Sequence, residues 1–352
     1  MSDFRIDKIT NRTGETGPQI AGISTFSGTS GMAMPSGPTE YRGGRGIGVF
    51  GVGLSPSNVS LDKINIATTG NATAFGNLWT GSYLISPGSA ANSVRGFYFG
   101  GTVGGNPTYS GNQIKINSFV FSSGGGGSEW GDLQRGVRYN GGCNSNTRAV
   151  SGGGSGETNI IEYFNMTSQG GGSSFGDLTE TRRRVAGTSS PTRGLFGGGT
   201  GPFAPSGSNI IDYVTIATTG NATDYADLTV IKATMGAASS GTRGLFAGGY
   251  SAPTQSDVID YVTIATFGNA VDFGNLTAAN SKGRQAIAGA SSKTRAVFAG
   301  GYNYHPASPT LVAYNIIDYV TLATTGNATD FGDMTINRRN LGGCSDSNGG
   351  LG

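Results

Sequence analysis

Carboxylates that are able to do acid–base chemistry recur at regular intervals along the chain. They are Asp212, Asp260 and Asp318, with Glu162 in a further copy. A convergent pair of carboxylates is what glycoside hydrolysis requires. A residue present in every copy of a repeat, however, more often clamps strands or neighbouring units together than forms a ring of sites. We therefore interpret these acids as structural clamps and keep a hydrolytic carboxylate pair as the alternative.

Arginines recur in step with the acids, and others cluster at two points. The recurring ones, for which we expect the same clamping role, are Arg45, Arg95, Arg148, Arg193, Arg243 and Arg295. The run 182–184 and the pair 338–339, all arginine, occupy equivalent places in two copies. Three adjacent arginines are able to meet a phosphate, but we interpret the run as a solvated turn.

The residues that most metal and nucleophile chemistry requires are scarce. The chain has one histidine, His305, and two cysteines, Cys143 and Cys344. Its sequence has no Cys/His cluster, HExxH or P-loop motif. The two cysteines occupy one position in non-adjacent copies, beyond the ~7 Å that a disulfide spans, so we predict free thiols. We predict no enzymatic activity, no metal site and no cofactor.

A repeat positions all of these residues. The phrase at residues 209–223 returns almost letter for letter at 315–329, and the recurring arginines are 45 to 53 residues apart. A period of this size indicates a propeller or a solenoid. The 64 glycines among 352 residues far exceed the usual ~7%, and they fall at fixed places in each copy. They are therefore interpreted as turns and tight packing.

One copy divides into four short segments that predict antiparallel strands. Starting from residue 183, they are 183–190, then 193–198 with a terminal glycine pair, then 209–217, rich in β-branched residues, and finally 222–228. Turns of Gly, Asn and Ser separate them, as expected of a four-stranded sheet.

This unit resembles the kelch repeat of β-propellers over roughly residues 45–349. The resemblance rests on a hydrophobic strand that ends in Gly-Gly, on Asp212-Tyr213 in the third strand, where kelch units carry the reverse order, and on an aromatic-x-x-Leu pattern at 225–228. It implies an all-β propeller and carries almost no information about function.

Counting the copies predicts six blades. Six second strands begin at the recurring arginines, the copy at residue 45 has no good first strand before it, and a seventh first-strand sequence, 338–345, follows the last copy. We expect this C-terminal strand to complete the N-terminal blade, which removes the open sheet edges. A seventh, irregular blade formed by residues 1–44 is the alternative.

Charge and hydropathy narrow the classes of partner. Charged residues make up 12% of the chain and the net charge is +2, which gives no electrostatic case for nucleic acid or for an anionic membrane. The first eight residues lack the apolar core of a signal peptide, and no segment is suited to span a bilayer. We expect synthesis in a cytoplasm.

The loops after the glycine pairs differ in every copy and lie on one face of the predicted propeller. The last of them is the longest and holds Tyr302, Tyr304, His305 and Tyr314. Aromatic side chains on a rigid scaffold are suited to stack on sugars or to anchor a protein partner. We predict that this face makes contacts; unconstrained drift of the loops is the alternative.

Residues 1–40 do not belong to the repeat, and we expect an arm and linker there, with the propeller over 41–352. The arm has apolar residues without a core of its own, which suggests that it orders against something else. These residues are Phe4, Ile6, Ile9, Ile20, Ile23 and Phe26. The outside of the propeller is an alternative place for them.

The arm together with the Asp-Tyr-Val-Thr-Ile-Ala-Thr-Thr-Gly-Asn-Ala-Thr repeats resembles structural proteins of marine tailed bacteriophages, notably contractile-tailed cyanophages. The resemblance implies a fibre, appendage or decoration protein, present in several copies in the virion and docked by its arm. Its partners would be other virion proteins and, as a second class, a host-surface glycan. A carbohydrate-binding adhesin is the alternative, and a glycan-degrading enzyme a more distant one.

Overall fold

The protein is described by a computed structural model that covers residues 46–54, 59–78, 84–103, 110–124, 126–156, 158–277, 279, 283–304 and 311–347. The chain divides into two units, 1–40 and 41–352, and everything described lies in the second. The described residues form strands, turns and bends, and none of them lies in a helix. Accordingly, this part of the chain has no helix of the length and apolarity needed to cross a membrane.

The strands form six antiparallel blade sheets, which build a six-bladed β-propeller, and two two-stranded ribbons in the loops of blades II and V. Blade I contains β1 (Ile47–Gly51), β2 (Ser60–Asn65) and β3 (Thr73–Asn77). Blade II follows with β4 (Gly88–Ala91), β5 (Arg95–Phe99), β6 (Thr102–Val103), β7 (Ser110–Asn112), β8 (Lys115–Val120) and β9 (Ser128–Asp132). Blade III has β10 (Gly141–Asn144), β11 (Arg148–Gly152), β12 (Ile160–Asn165) and β13 (Ser173–Asp177).

The second half of the ring has the same plan. Blade IV consists of β14 (Ala186–Ser189), β15 (Arg193–Gly197), β16 (Ser208–Thr215) and β17 (Thr223–Lys232). Blade V has β18 (Gly236–Ser239), β19 (Arg243–Ala247), β20 (Tyr250–Ser251), β21 (Thr254–Gln255), β22 (Val258–Thr263) and β23 (Val271–Asn275). Blade VI has β24 (Ala288–Ser291), β25 (Arg295–Ala299), β26 (Tyr302–Tyr304), β27 (Leu311–Thr321) and β28 (Thr329–Arg338).

The last strand closes the ring, as the sequence predicts. β29 (Gly342–Ser345) pairs with β1, where Cys344 lies opposite Val49, so blade I has the order β29-β1-β2-β3. A hydrophobic cluster spans each junction between adjacent blades. The cluster between blades VI and I includes Phe50, Val297 and Phe331, all buried.

The first strand of each blade is the innermost one, next to the propeller axis. This crowded position explains why its residues are small. An added Cβ on Gly142 would stand 2.1 Å from the carbonyl oxygen of Ser89 in the neighbouring blade, and one on Gly187 would stand 2.3 Å from that of Gly142. Backbones approach this closely only without side chains between them. The axis is therefore packed and leaves a cavity of about 90 Å³.

Each fourth strand carries a β-bulge that directs an aromatic ring into the core. In blade IV, Ile211 lies opposite Ala226 but Asp212 lies opposite Asp224, which leaves Tyr225 as the extra residue. The same shift occurs in all six blades, as bulges allow. The extra residues, all buried, are Phe75, Trp130, Phe175, Tyr225, Phe273 and Phe331.

Candidate functional site: the loop face and the channel mouth

The recurring acids are clamps, which confirms their structural interpretation. Asp212 is fully buried and accepts hydrogen bonds from the backbone N–H and the hydroxyl of Thr179, at 3.1 and 2.5 Å, while its Oδ2 lies 2.6 Å from Nη2 of Arg182. These groups tie the linker between two blades to the third strand of the blade that follows. The carboxylate is thereby occupied inside the protein.

The same pair of charges is buried in other blades. Lys232 Nζ lies 2.9 Å from Asp260 Oδ2, Arg338 Nη2 lies 3.7 Å from Asp62 Oδ1, and Arg284 pairs with Asp318. Burial lowers the pKa of Lys232 and raises the pKa of Asp318, in each case against the opposing effect of the partner's charge. Arg182 and Arg338 are 0% exposed, so the prediction of a solvated turn was wrong for these two residues.

The recurring arginines join neighbouring blades. Nη1 of Arg193 donates to the carbonyl oxygens of Ile264 and Ala265 in the next blade, at 2.8 and 3.2 Å, and its guanidinium lies 5.0 Å from the ring centre of Tyr213. Arg148, Arg243 and Arg295 make equivalent inter-blade hydrogen bonds. The clamping role is confirmed for these four arginines.

The guanidinium of Arg95 instead lies 5.0 Å from the ring centre of Trp130 in its own blade. In blade I the repeat position is held by Ile47, since Phe50 lies opposite Asp62 as Phe196 lies opposite Asp212, so Arg45, which lies outside the described residues, does not belong to the set.

The connections between successive strands alternate between the two ends of the strands. The propeller therefore has two distinct faces, each formed by two kinds of connection. The turns after the first and third strands form one face, and the loops after the second strands together with the linkers between blades form the other, here called the loop face. The loops are fixed at their bases. The second glycine of each pair donates its N–H to a carbonyl of the linker into the next blade, at 2.6 to 2.9 Å.

The predicted aromatic contact residues on the loop face are only partly described. Tyr302 is half-buried, with the guanidinium of Arg339 5.1 Å from its ring centre. Tyr314 is also half-buried, and its hydroxyl donates to Oδ1 of the buried Asn303 at 2.7 Å. The structure thus brings these two tyrosines to the base of the same loop. His305 and the side chain of Tyr304 lie outside what is described.

The six predicted docking residues of the arm, Phe4, Ile6, Ile9, Ile20, Ile23 and Phe26, also lie outside the described residues.

Sequence reasoning missed an exposed aromatic residue on the loop face. Phe203, in the loop after β15, is 95% exposed, and Val230 and Ile231 of the same blade are 42% and 40% exposed. A large apolar side chain that is almost fully in water often marks a contact surface. The Pro-Phe-Ala-Pro sequence at 202–205 is the signal that could have identified it. A phenylalanine between two prolines in a loop does not belong to a strand that would bury its side chain.

The mouth of the central channel was not predicted either. Two residues before the first strand of each of the six blades lies a residue with left-handed backbone, φ between 54° and 61°. Its N–H donates to the carbonyl of the equivalent residue in the preceding blade at 2.7 to 3.1 Å. The six bonds close a circle. This set, here called the mouth ring, consists of Ser86, Tyr139, Arg184, Thr234, Ala286 and Asn340.

A second ring lies one residue further along each linker. Five of its members are apolar and one is Asn140; the others are Pro87, Val185, Met235, Ile287 and Leu341. Together the two rings line a cavity of about 80 Å³ at the mouth of the channel. It is an apolar floor with a polar rim, the usual composition of a small-ligand site.

Cys143 and Cys344 are free, as predicted, and both are buried. Burial raises the pKa of both thiols, that of Cys344 to about 12, so neither is a nucleophile near neutral pH. Within the described ranges, no group of three or more His, Cys, Asp or Glu residues is placed to hold a metal ion. Comparison with known proteins finds no family model and no curated protein that matches this chain.

Proposed function

We propose that the protein is a non-enzymatic structural component of a phage virion, a fibre, appendage or decoration protein. Its arm, residues 1–40, docks it on the particle, and its loop face contacts neighbouring virion proteins or the host surface. The observation that supports a scaffold role for the propeller is the structural role of its buried ion pairs. The acids that recur in the repeat hold the linkers between blades in place. Such a scaffold is suited to present a surface rigidly.

The distribution of variation supports the loop face as the contact surface. The turn face repeats the same inter-blade bonds: Oδ1 of Asn221 accepts from the N–H of Asp177 at 3.1 Å, and Asn71 and Asn327 make the same bond at other seams. The loop face places different residues at each blade, among them the exposed Phe203. Several copies on one particle would add avidity, so that each contact need not be strong.

The test compares the full-length protein with a shortened chain that begins at Glu40, each mixed with particles that lack this protein. We expect both chains to fold and only the full-length chain to sediment with the particles. Equal binding by the shortened chain would contradict the docking role of the arm. Binding by neither would contradict the virion role.

A carbohydrate-binding adhesin is the second candidate, and the exposed ring of Phe203 favours it because aromatic faces stack on sugars. The same two chains separate the candidates. An adhesin would bind glycans equally well with or without the arm, would lose binding on Phe203→Ala or Tyr302→Ala, and would show no affinity for particles.

A further inference from the structure

We infer that the mouth of the central channel is a binding site for a single carboxylate group, held by Arg184. The inference concerns the propeller alone and holds whether or not the protein is a virion component.

The cavity has unused hydrogen-bonding capacity in its wall. Ser86 and Asn140 are 8% and 5% exposed, and both line the cavity. The hydroxyl of Ser86 and Oδ1 of Asn140 have no hydrogen-bond partner within the protein. Buried polar atoms are rarely left without one, so a ligand or solvent is expected to meet them. The two residues belong to adjacent blades, II and III, and therefore line one arc of the mouth.

Asn140 is able to present a donor to this ligand. Its amide nitrogen lies 2.8 Å from the hydroxyl oxygen of Ser151, and a hydroxyl donates as readily as it accepts. Rotation of the amide by 180° keeps that bond, with the Ser151 hydroxyl as its donor, and replaces the unpaired oxygen with an NH₂ group that has no partner within the protein. Ser86 supplies a second, neutral donor.

Arg184 supplies the charge on the same arc. It is the mouth-ring residue of blade IV, next to Asn140 of blade III, and it is half-buried in the cavity wall. Its guanidinium lies 5.3 Å from the ring centre of Tyr139, and that of Arg138 lies 5.2 Å from the same ring. Two cations beside one ring make the local potential positive.

The charge of the whole mouth favours an anion. The mouth ring and the residues immediately before it contain four arginines and no carboxylate: the preceding residues are Ile85, Arg138, Arg183, Ala233, Gln285 and Arg339. A guanidinium matches the planar geometry of a carboxylate and binds it through two parallel hydrogen bonds.

The size and the floor of the cavity select the class of anion. About 80 Å³ is several times the ~10–15 Å³ that one water needs, which leaves room for a compact group. One cation among the lining residues balances one negative charge, and the apolar floor suits a carbon-bound group better than a doubly charged phosphate. The ligand is therefore a carboxylate on a small carbon skeleton, from an acidic sugar or from an Asp or Glu side chain of a partner protein.

The test is saturation-transfer NMR on the full chain in a low-salt, chloride-free buffer. Acetate is the minimal probe and acetamide its neutral counterpart. Glucuronate against glucose tests the sugar source, and acetyl-Gly-Glu-Gly-amide against its Gln analogue tests the protein source. We expect saturable binding of acetate in the millimolar range, none of acetamide, and a weaker signal as sodium sulfate is added, because salt screens the charge.

Three variants locate the site. Arg184→Gln removes the charge and is expected to weaken acetate binding about fivefold or more, as the loss of a partly exposed ion pair implies. Arg183→Gln removes a neighbouring charge outside the cavity lining and is expected to leave affinity within about twofold. Asn140→Asp keeps the bond to Ser151 but places a negative charge in the mouth, and is expected to abolish binding.

Circular dichroism and thermal unfolding show whether each variant folds. If Arg184→Gln does not fold, the effect of Asn140→Asp on acetate binding tests the location of the site. No saturable binding of acetate by the unaltered protein overturns the inference. So does undiminished binding by Arg184→Gln and Asn140→Asp. A failure here leaves the particle-binding test unaffected, since that test depends on the arm.

Discussion

At the scale of single residues, blades II and IV differ at the two positions that hold the buried cation and the buried carboxylate. The difference shows why the two charges occur as a pair. Blade II has Leu84 where blade IV has Arg182, since the carbonyl of each accepts from the second glycine of the preceding blade. It has Asn117 where blade IV has Asp212, since each lies opposite the residue three after the recurring arginine. The cation and the carboxylate are thus absent together, as expected if a buried charge without its partner is costly.

Blade III makes the same point in another way. It has Val137 at the position of the cation but keeps an acid, Glu162. Arg135, two residues earlier, reaches this acid, with Nε 3.5 Å from Oε1. Where the carboxylate stays, a cation is supplied from a different position.

We predict that Asp212→Asn lowers the free energy of unfolding by about 3–5 kcal/mol, because it leaves the guanidinium of Arg182 buried without a counter-charge. The double variant Arg182→Leu with Asp212→Asn copies blade II and is expected to recover at least half of that loss. Urea unfolding of the two variants measures both effects. Equal stability of the single and the double variant would contradict the clamp account.

At the scale of elements, the first strands depend on close backbone contact around the axis. We predict that Gly142→Ala destabilises the protein by about 3 kcal/mol or more, since its Cβ would overlap the backbone of Ser89. Gly170→Ala is the matched control, because nothing lies within 4 Å of the Cβ it would add, and its effect is expected within about 0.5 kcal/mol. Thermal unfolding of the pair is the measurement, and similar midpoints would show that the inner strands are not packed as described.

Much of each element could be predicted from the sequence, because its signals are local. The β-branched residues of β16, the glycine pair after β15 and the aromatic residue of β17 each indicate a strand or its end within a few residues. The first strand shows where such signals fail. It was predicted over 183–190, but β14 begins at Ala186, because Arg182 is drawn into a buried ion pair and Arg184 takes a left-handed backbone in the mouth ring.

The candidate sites were less predictable for the same reason. The mouth ring is formed by one residue from each of six linkers, far apart in the chain, and its hydrogen bonds use backbone atoms that carry no sequence signal. Nothing local distinguishes Arg184 from Arg182 in a run of three arginines, yet one is fully buried and the other lines the channel mouth. Their roles depend on the closed ring.

At the scale of the whole molecule, the chain closes on itself so that no blade is left with an open inner edge. β29 joins β1 nearly 300 residues away in sequence, and Nη1 of Arg295 in blade VI donates to the carbonyl of Ala67 in blade I at 2.9 Å. The seam between the two ends of the repeat is therefore built from the same parts as the other five. Closure protects strand edges and sets the diameter of the channel mouth.

The most direct test of this closure uses a matched pair of residues in the chain. Cys344 lies opposite Val49 across the closing seam, and Cys143 lies opposite Val150 within blade III, at the same positions of the repeat. Val49→Cys and Val150→Cys should therefore form cross-strand disulfides with equal ease on oxidation during refolding, detected by mass spectrometry of non-reduced peptides. A disulfide in the Val150→Cys protein together with none in the Val49→Cys protein would contradict a six-bladed ring closed by its last strand.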